Sequence, residues 1–157
     1  MMNDGAAELR DPETNEALDR LSDRAQALVE TIDAADGLVV IPAPVLSEYL
    51  IGIERSYFQS HLDIINNSKC FEVVSFDQMA AIECALLVDE NEQKVLDPDA
   101  TKAKLRVDRQ ILSIAIACGA GEIWTHDKGL FKKAQATGLS TKSLASIVPP
   151  PQQLELS

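Results

Sequence analysis

The sequence predicts an α/β fold: three layers, α/β/α, around a central parallel sheet. One observation is that short β-branched or aromatic runs, "LVVI" at 38–41, "FEVVSF" at 71–76 and "EIWT" at 122–125, recur along the chain. A second is that stretches with the apolar period of a helix separate them, and strands alternating with helices imply parallel pairing through crossovers. A third is size: 157 residues, 46% apolar, suit one domain able to bury a core without metal or disulfide staples.

The elements follow in order. Residues 3–15, "NDGAAELRDPETN", carry turn formers without apolar period and read as a loop. From 16 to 35, Leu18, Leu21, Ala25, Leu28 and Ile32 recur at threes and fours, an amphipathic helix capped by Asn15 and stopped by Gly37. "LVVI" suits a strand buried on both faces, ended by Pro42 and Pro44. A helix over 45–57 shows the stripe Leu46, Tyr49, Leu50 and Ile53, and 59–67 forms a shorter one. After the strand at 71–76, Asp77 caps a helix over 78–90 with the stripe Met79, Ile82, Ala85 and Leu86. "DENEQKVLDPDATK" is a polar connection. The helix of 103–118 is rich in Ile, Leu and Ala and stops at Gly119. A strand at 122–125, a helix at 128–137 and a strand at 140–147 complete a single domain of 16–147; 148–157 is a Pro-rich tail.

Composition excludes some classes. The longest apolar runs fall far short of a membrane span and no secretory signal opens the chain, so a cytoplasmic protein is expected. Cys70, Cys84 and Cys118 lie apart in apolar sequence without zinc spacing and read as small core hydrophobes. The net charge of −11 argues at face value against a nucleic-acid partner. Yet 101–142 holds eight basic side chains against three acids, a local +5 beside −16 elsewhere. That cluster is either a solvated helix face or a local anion-binding surface.

Helix N-termini and strand C-termini share one edge of a parallel sheet, where ligands usually bind. Asp127 follows a strand end, and Asp108 and Glu48 lie in the first turns of two helices. Singly, each has a plainer reading: Glu48 as a solvated helical acid, Asp108 as a complement to the helix dipole, Asp127 as a helix cap. Together they converge, and converging carboxylates repel unless a cation neutralises them. Hard oxygen ligands suit Mg²⁺ or Mn²⁺, which can clamp a phosphodiester and activate water. Arg106, Arg109, Lys128 and Lys132 are the candidates for phosphate contacts. His126 is expected on the opposite face of its strand, His61 lacks a sequence neighbour to work with, Trp124 reads as core, and Asp97 and Asp99 flank Pro98 as turn residues.

The stretches "IPAPVLSEYL" (41–50) and "AKLRVDRQILSIAIACGAGEIWTHDKGLF" (103–131), with the rhythm between them, resemble the PIN-domain nucleases, the fold family of many bacterial type II toxin ribonucleases. The resemblance spans about 16–147. It implies a Mg²⁺- or Mn²⁺-dependent ribonuclease in which Glu48, Asp108 and Asp127 are the catalytic, metal-holding acids. It also implies Thr125 as a hydrogen-bonding partner within a strand-end T-x-D motif, an RNA substrate, a homodimer and, in a toxin setting, an antitoxin partner. PIN domains open with a central strand ending in Asp, and "MMNDGAAELR" has no apolar run before Asp4. The expectation is therefore a sequence that starts late, a sheet without its central strand, and neighbouring strands with unpaired backbone groups. Two alternatives follow: a catalytically weak or inactive PIN-like module that binds protein or RNA, and a different acid-edge phosphohydrolase.

Overall fold

The computed structural model describes residues 9–87 and 89–151, apart from the Glu90 side chain. Asp4, the first part of the opening loop and tail residues 152–157 lie outside the described residues. Among the described residues, the chain forms α1 (Leu21–Ala34), β1 (Val39–Pro42), α2 (Ala43–Ile51), α3 (Phe58–Asn67), β2 (Phe71–Val74), α4 (Gln78–Leu86), α5 (Glu90–Leu96), α6 (Lys102–Ala117), β3 (Glu122–Trp124), α7 (Lys128–Ala136) and β4 (Ser140–Lys142). Short 3-10 turns occupy Arg55–Tyr57 and Leu144–Ser146. No helix among the described residues is long and apolar enough to cross a membrane.

The strands are parallel, as their spacing implied, but they form two pairs instead of one sheet. β1 runs beside β2 from Val39↔Phe71 to Pro42↔Val74, and β3 beside β4 from Glu122↔Ser140 to Trp124↔Lys142. Each of β1 and β3 has one strand neighbour among the described residues, which leaves one edge of each without ladder partners. β1 is accordingly half-buried along its length and not buried on both faces, and the neighbouring Leu38 is 50% exposed.

The packing centre is α6, whose Leu105, Ile111, Leu112, Ile114 and Ala115 are buried. Ile111 and Leu112 form a core with Leu130 and Ala134 of α7, covered by Leu87, Val107, Ile123 and Leu139. β1 also packs on α6, so the helix supports both strand pairs. α4 lies along α6 but turns an unexpected face to it. Ala80 is buried and Cys84 and Leu87 are half-buried, whereas the stripe Met79, Ile82, Ala85 and Leu86 faces outward. Small side chains let the two helices approach closely, and the bulky stripe stays uncovered.

Other boundaries differ for local reasons. α1 begins at Leu21 instead of near 16, because Asn15 sits in a turn with φ 63° and its N–H bonds to the Asp11 carbonyl at 2.8 Å. The stretch expected to be a polar connection contains α5, whose helix-favouring Glu, Gln, Lys and Leu are started by Asp89, accepting from the Glu92 N–H at 3.1 Å. β4 stops at Lys142, and a 3-10 turn takes the rest of the expected strand. Asp77 does cap α4, accepting from the Ala80 N–H at 2.9 Å. Cys70 is buried and Cys84 half-buried; Cys118 is exposed, since α6 ends there and the chain turns away at Gly119, φ 70°.

Candidate functional site

Thr101 starts α6 by accepting from the Lys104 N–H at 3.1 Å. One turn in, Lys104 and Asp108 stand four residues apart on the same helix face. The Lys104 ammonium donates to Asp108 Oδ2 at 2.8 Å, to Asp97 Oδ2 at 3.0 Å and to Asp127 Oδ1 at 3.1 Å. Lys133, from α7, reaches the same place, donating to Asp108 Oδ2 at 2.5 Å and Asp97 Oδ2 at 3.0 Å. Three carboxylates and two ammonium groups thus make one cluster, built by α6, the turn after α5, the end of the β3–α7 connection and α7 itself.

Burial grades across it. The Lys133 side chain is 1% exposed and that of Asp108 7%, whereas Lys104 is 35% and Asp127 44% exposed. Burial alone would lower the Lys104 pKa, but the hydrogen bonds to Asp108, Asp97 and Asp127 outweigh it and hold the group above its ordinary value. For Asp97, burial would raise the pKa, and the bonds from Lys104 and Lys133 reverse the direction, keeping it below the usual carboxylate range.

Asp127 is positioned by its own backbone. Its N–H donates to Thr125 Oγ1 at 3.0 Å, and its Oδ1 caps α7 by accepting from the Leu130 N–H at 2.8 Å. The capping role and the cluster role are met by the same oxygen. Gly129, in the first turn of α7, makes room for Asp97: a Cβ there would lie 2.5 Å from the Asp97 Cγ and overlap its carboxylate.

Of the acids expected from the sequence, Asp108 and Asp127 meet on Lys104, whereas Glu48 is exposed on α2 and shares no hydrogen bond or ion pair with the cluster. Arg106, Lys128 and Lys132 are exposed, and Arg109 is half-buried on α6. Asp97, Lys104 and Lys133 were not foreseen. The i, i+4 spacing of Lys104 and Asp108 was the available signal; Asp97 does sit in a turn, with Ala100 N–H bonding its carbonyl at 3.2 Å, but its carboxylate points elsewhere.

The histidines do other work. His126 Nε2 accepts from the Leu144 N–H at 3.1 Å, so Nδ1 carries the proton and donates to the Arg10 carbonyl at 2.9 Å. It ties two distant segments together. His61 bonds the Tyr49 hydroxyl at 2.7 Å. Trp124 is half-buried, its Nε1 donating to Glu122 at 3.0 Å with Lys142 over its ring at 5.7 Å.

No set of three His, Cys, Asp or Glu side chains among the described residues is spaced to hold a metal ion as it stands. The donor chemistry nevertheless fits a hard cation, since three carboxylate oxygens already surround one ammonium at 2.8–3.1 Å. Mg²⁺ demands oxygens at roughly 2.1 Å, so they would have to close by about 1 Å. Asp97 Oδ1, Asp108 Oδ1 and Asp127 Oδ2 make no hydrogen bond among the described residues. No model of a known protein family matches the chain, and no curated protein matches it significantly.

Proposed function

We propose that the chain is a PIN-type endoribonuclease, cytoplasmic and dependent on Mg²⁺ or Mn²⁺, that hydrolyses RNA phosphodiesters. The observation that carries the reading is the meeting of Asp108 and Asp127, from separate elements, on a single cation, the Lys104 ammonium. Asp108 and Asp127, with Asp97, would hold the metal; when bound it would supply Lewis-acid polarisation of a phosphoryl oxygen and an activated water. Thr125 fixes the Asp127 backbone. Arg106, Lys128 and Lys132, exposed near the cluster in sequence, would hold flanking phosphates, with Arg109 as a further contact from α6. Among the described residues β1 and β3 each have a single strand neighbour, the pattern expected of strands that flank the central strand of a PIN sheet.

The outward stripe Met79, Ile82 and Leu86 offers apolar area for a homodimer, and a toxin acting with an antitoxin is the biological setting the resemblance suggests. A second reading has its own support. The two lysines already neutralise most of the acid cluster and Glu48 stands apart from it, which favours a catalytically weak or inactive PIN-like module that binds protein or RNA.

Cleavage of single-stranded RNA in Mn²⁺ separates the two. The enzyme reading expects cleavage that Asp108→Asn and Asp127→Asn each abolish; unchanged cleavage in both variants would end it. RNA binding without cleavage would select the module.

A further inference from the structure

Two lysines hold the acid cluster, and they are not equivalent. Lys133 is sealed in at 1% exposure, whereas Lys104 is 35% exposed and reaches the carboxylates from the solvent side. Lys104 alone of the pair touches all three acids. The charges also discriminate. Three carboxylates against two ammonium groups leave one negative charge, and a divalent ion added beside both lysines would leave an excess of positive charge. Exchanging one ammonium for a divalent ion leaves the cluster neutral, and only Lys104 has solvent to withdraw into. A long flexible stem lets it do so without breaking α6.

Building on the metal-dependent reading above, we propose that Lys104 is a tethered stand-in cation that holds Asp97, Asp108 and Asp127 together, and that a divalent metal ion enters the site by displacing it. Lys133 stays in place as the fixed counter-charge. The released Lys104 ammonium remains at the mouth of the site, where it meets an incoming phosphate. The device makes metal entry a competition: the site does not stand open as bare, repelling carboxylates, and its affinity is set by the strength of the lysine it must evict.

The test uses the full chain and Mn²⁺ alone. Calorimetric titration is run on wild type, Lys104→Met, Lys104→Gln and Asp108→Asn, each checked for folding by circular dichroism. In parallel, acylation of lysines in the wild type is followed by mass spectrometry with and without Mn²⁺. Three partly exposed ion pairs of modest strength set a competition of roughly tenfold, so Lys104→Met and Lys104→Gln should bind Mn²⁺ about tenfold more tightly than wild type. Acylation of Lys104 should rise when Mn²⁺ binds, while Lys133 stays protected. Wild-type binding that Asp108→Asn abolishes, with equal or weaker affinity in the Lys104 variants and no change in Lys104 acylation, would overturn the displacement and leave the metal site standing. Absence of Mn²⁺ binding in wild type and both Lys104 variants would overturn both. If the variants fail to fold, Lys104 acylation in the wild type decides the matter by itself.

Discussion

Replacing Lys133 by Met should cost more stability than any exposed lysine could. Its ammonium is 1% exposed and lies 2.5 Å from Asp108 Oδ2 and 3.0 Å from Asp97 Oδ2. Met matches the stem but removes the charge, which leaves Asp108, 7% exposed, facing a lost partner. Breaking a buried pair by removing one member costs about 3–5 kcal/mol. Lys104 still compensates Asp108, so the lower end applies, about 3 kcal/mol or roughly a hundredfold in the folding equilibrium. With a urea slope of about 2 kcal/mol/M, the midpoint should fall by about 1.5 M at unchanged slope. The double variant Lys133→Met with Asp108→Leu should recover most of that loss, since the most buried pair is then removed as a unit and Asp97 keeps Lys104. Lys142→Met, which breaks an exposed pair with Glu122 at 2.8 Å, should cost below about 1 kcal/mol. A Lys133→Met loss no larger than that of Lys142→Met would refute the view that this buried cluster is a structural keystone.

Two further outcomes are expected. Gly129→Ala should destabilise by about 1–3 kcal/mol despite the better helix propensity of Ala, because the new methyl overlaps the Asp97 carboxylate and drives it off the lysines; a stabilised variant in urea denaturation would contradict it. Acid should destabilise through Asp97 and Glu122. Lys104 and Lys133, acting against burial, lower the Asp97 pKa, and hydrogen bonds from Lys142 and Trp124 lower that of Glu122. Both groups therefore bind protons more tightly when unfolded. Their stabilisation is complete above the ordinary values of 3.8 and 4.5 and is lost as pH falls through the lower folded-state values. The melting temperature should drop between about pH 5 and about pH 3, less so in Asp97→Asn, and a flat profile would be inconsistent with these pairs.

Much of this was legible in the residues. The dense apolar helix of α6, the strand-end position of Asp127 and the Asp77 cap follow from period and punctuation, which are local properties. What stayed hidden depends on approach between distant segments. Periodicity finds the stripe of α4, but it cannot tell that α6 would come in over Ala80 and Cys84 and leave Met79 and Leu86 outside. α5 is too short and polar for an apolar period to reveal it. A lysine is almost never fully buried, so nothing local marks Lys133 as interior; its burial depends on Asp97 and Asp108 arriving from other elements. Asp97 in turn depends on the return of α5 and on the missing side chain at Gly129.

The most direct measurement is anomalous scattering from Mn²⁺ in crystals of this protein. One strong peak is expected between Asp108 and Asp127, within ligand distance of Asp97, with the Lys104 ammonium moved out and Lys133 still on Asp108. Crystals equilibrated at millimolar Mn²⁺ that show no peak there, with Lys104 still bridging the three carboxylates, would contradict that expectation.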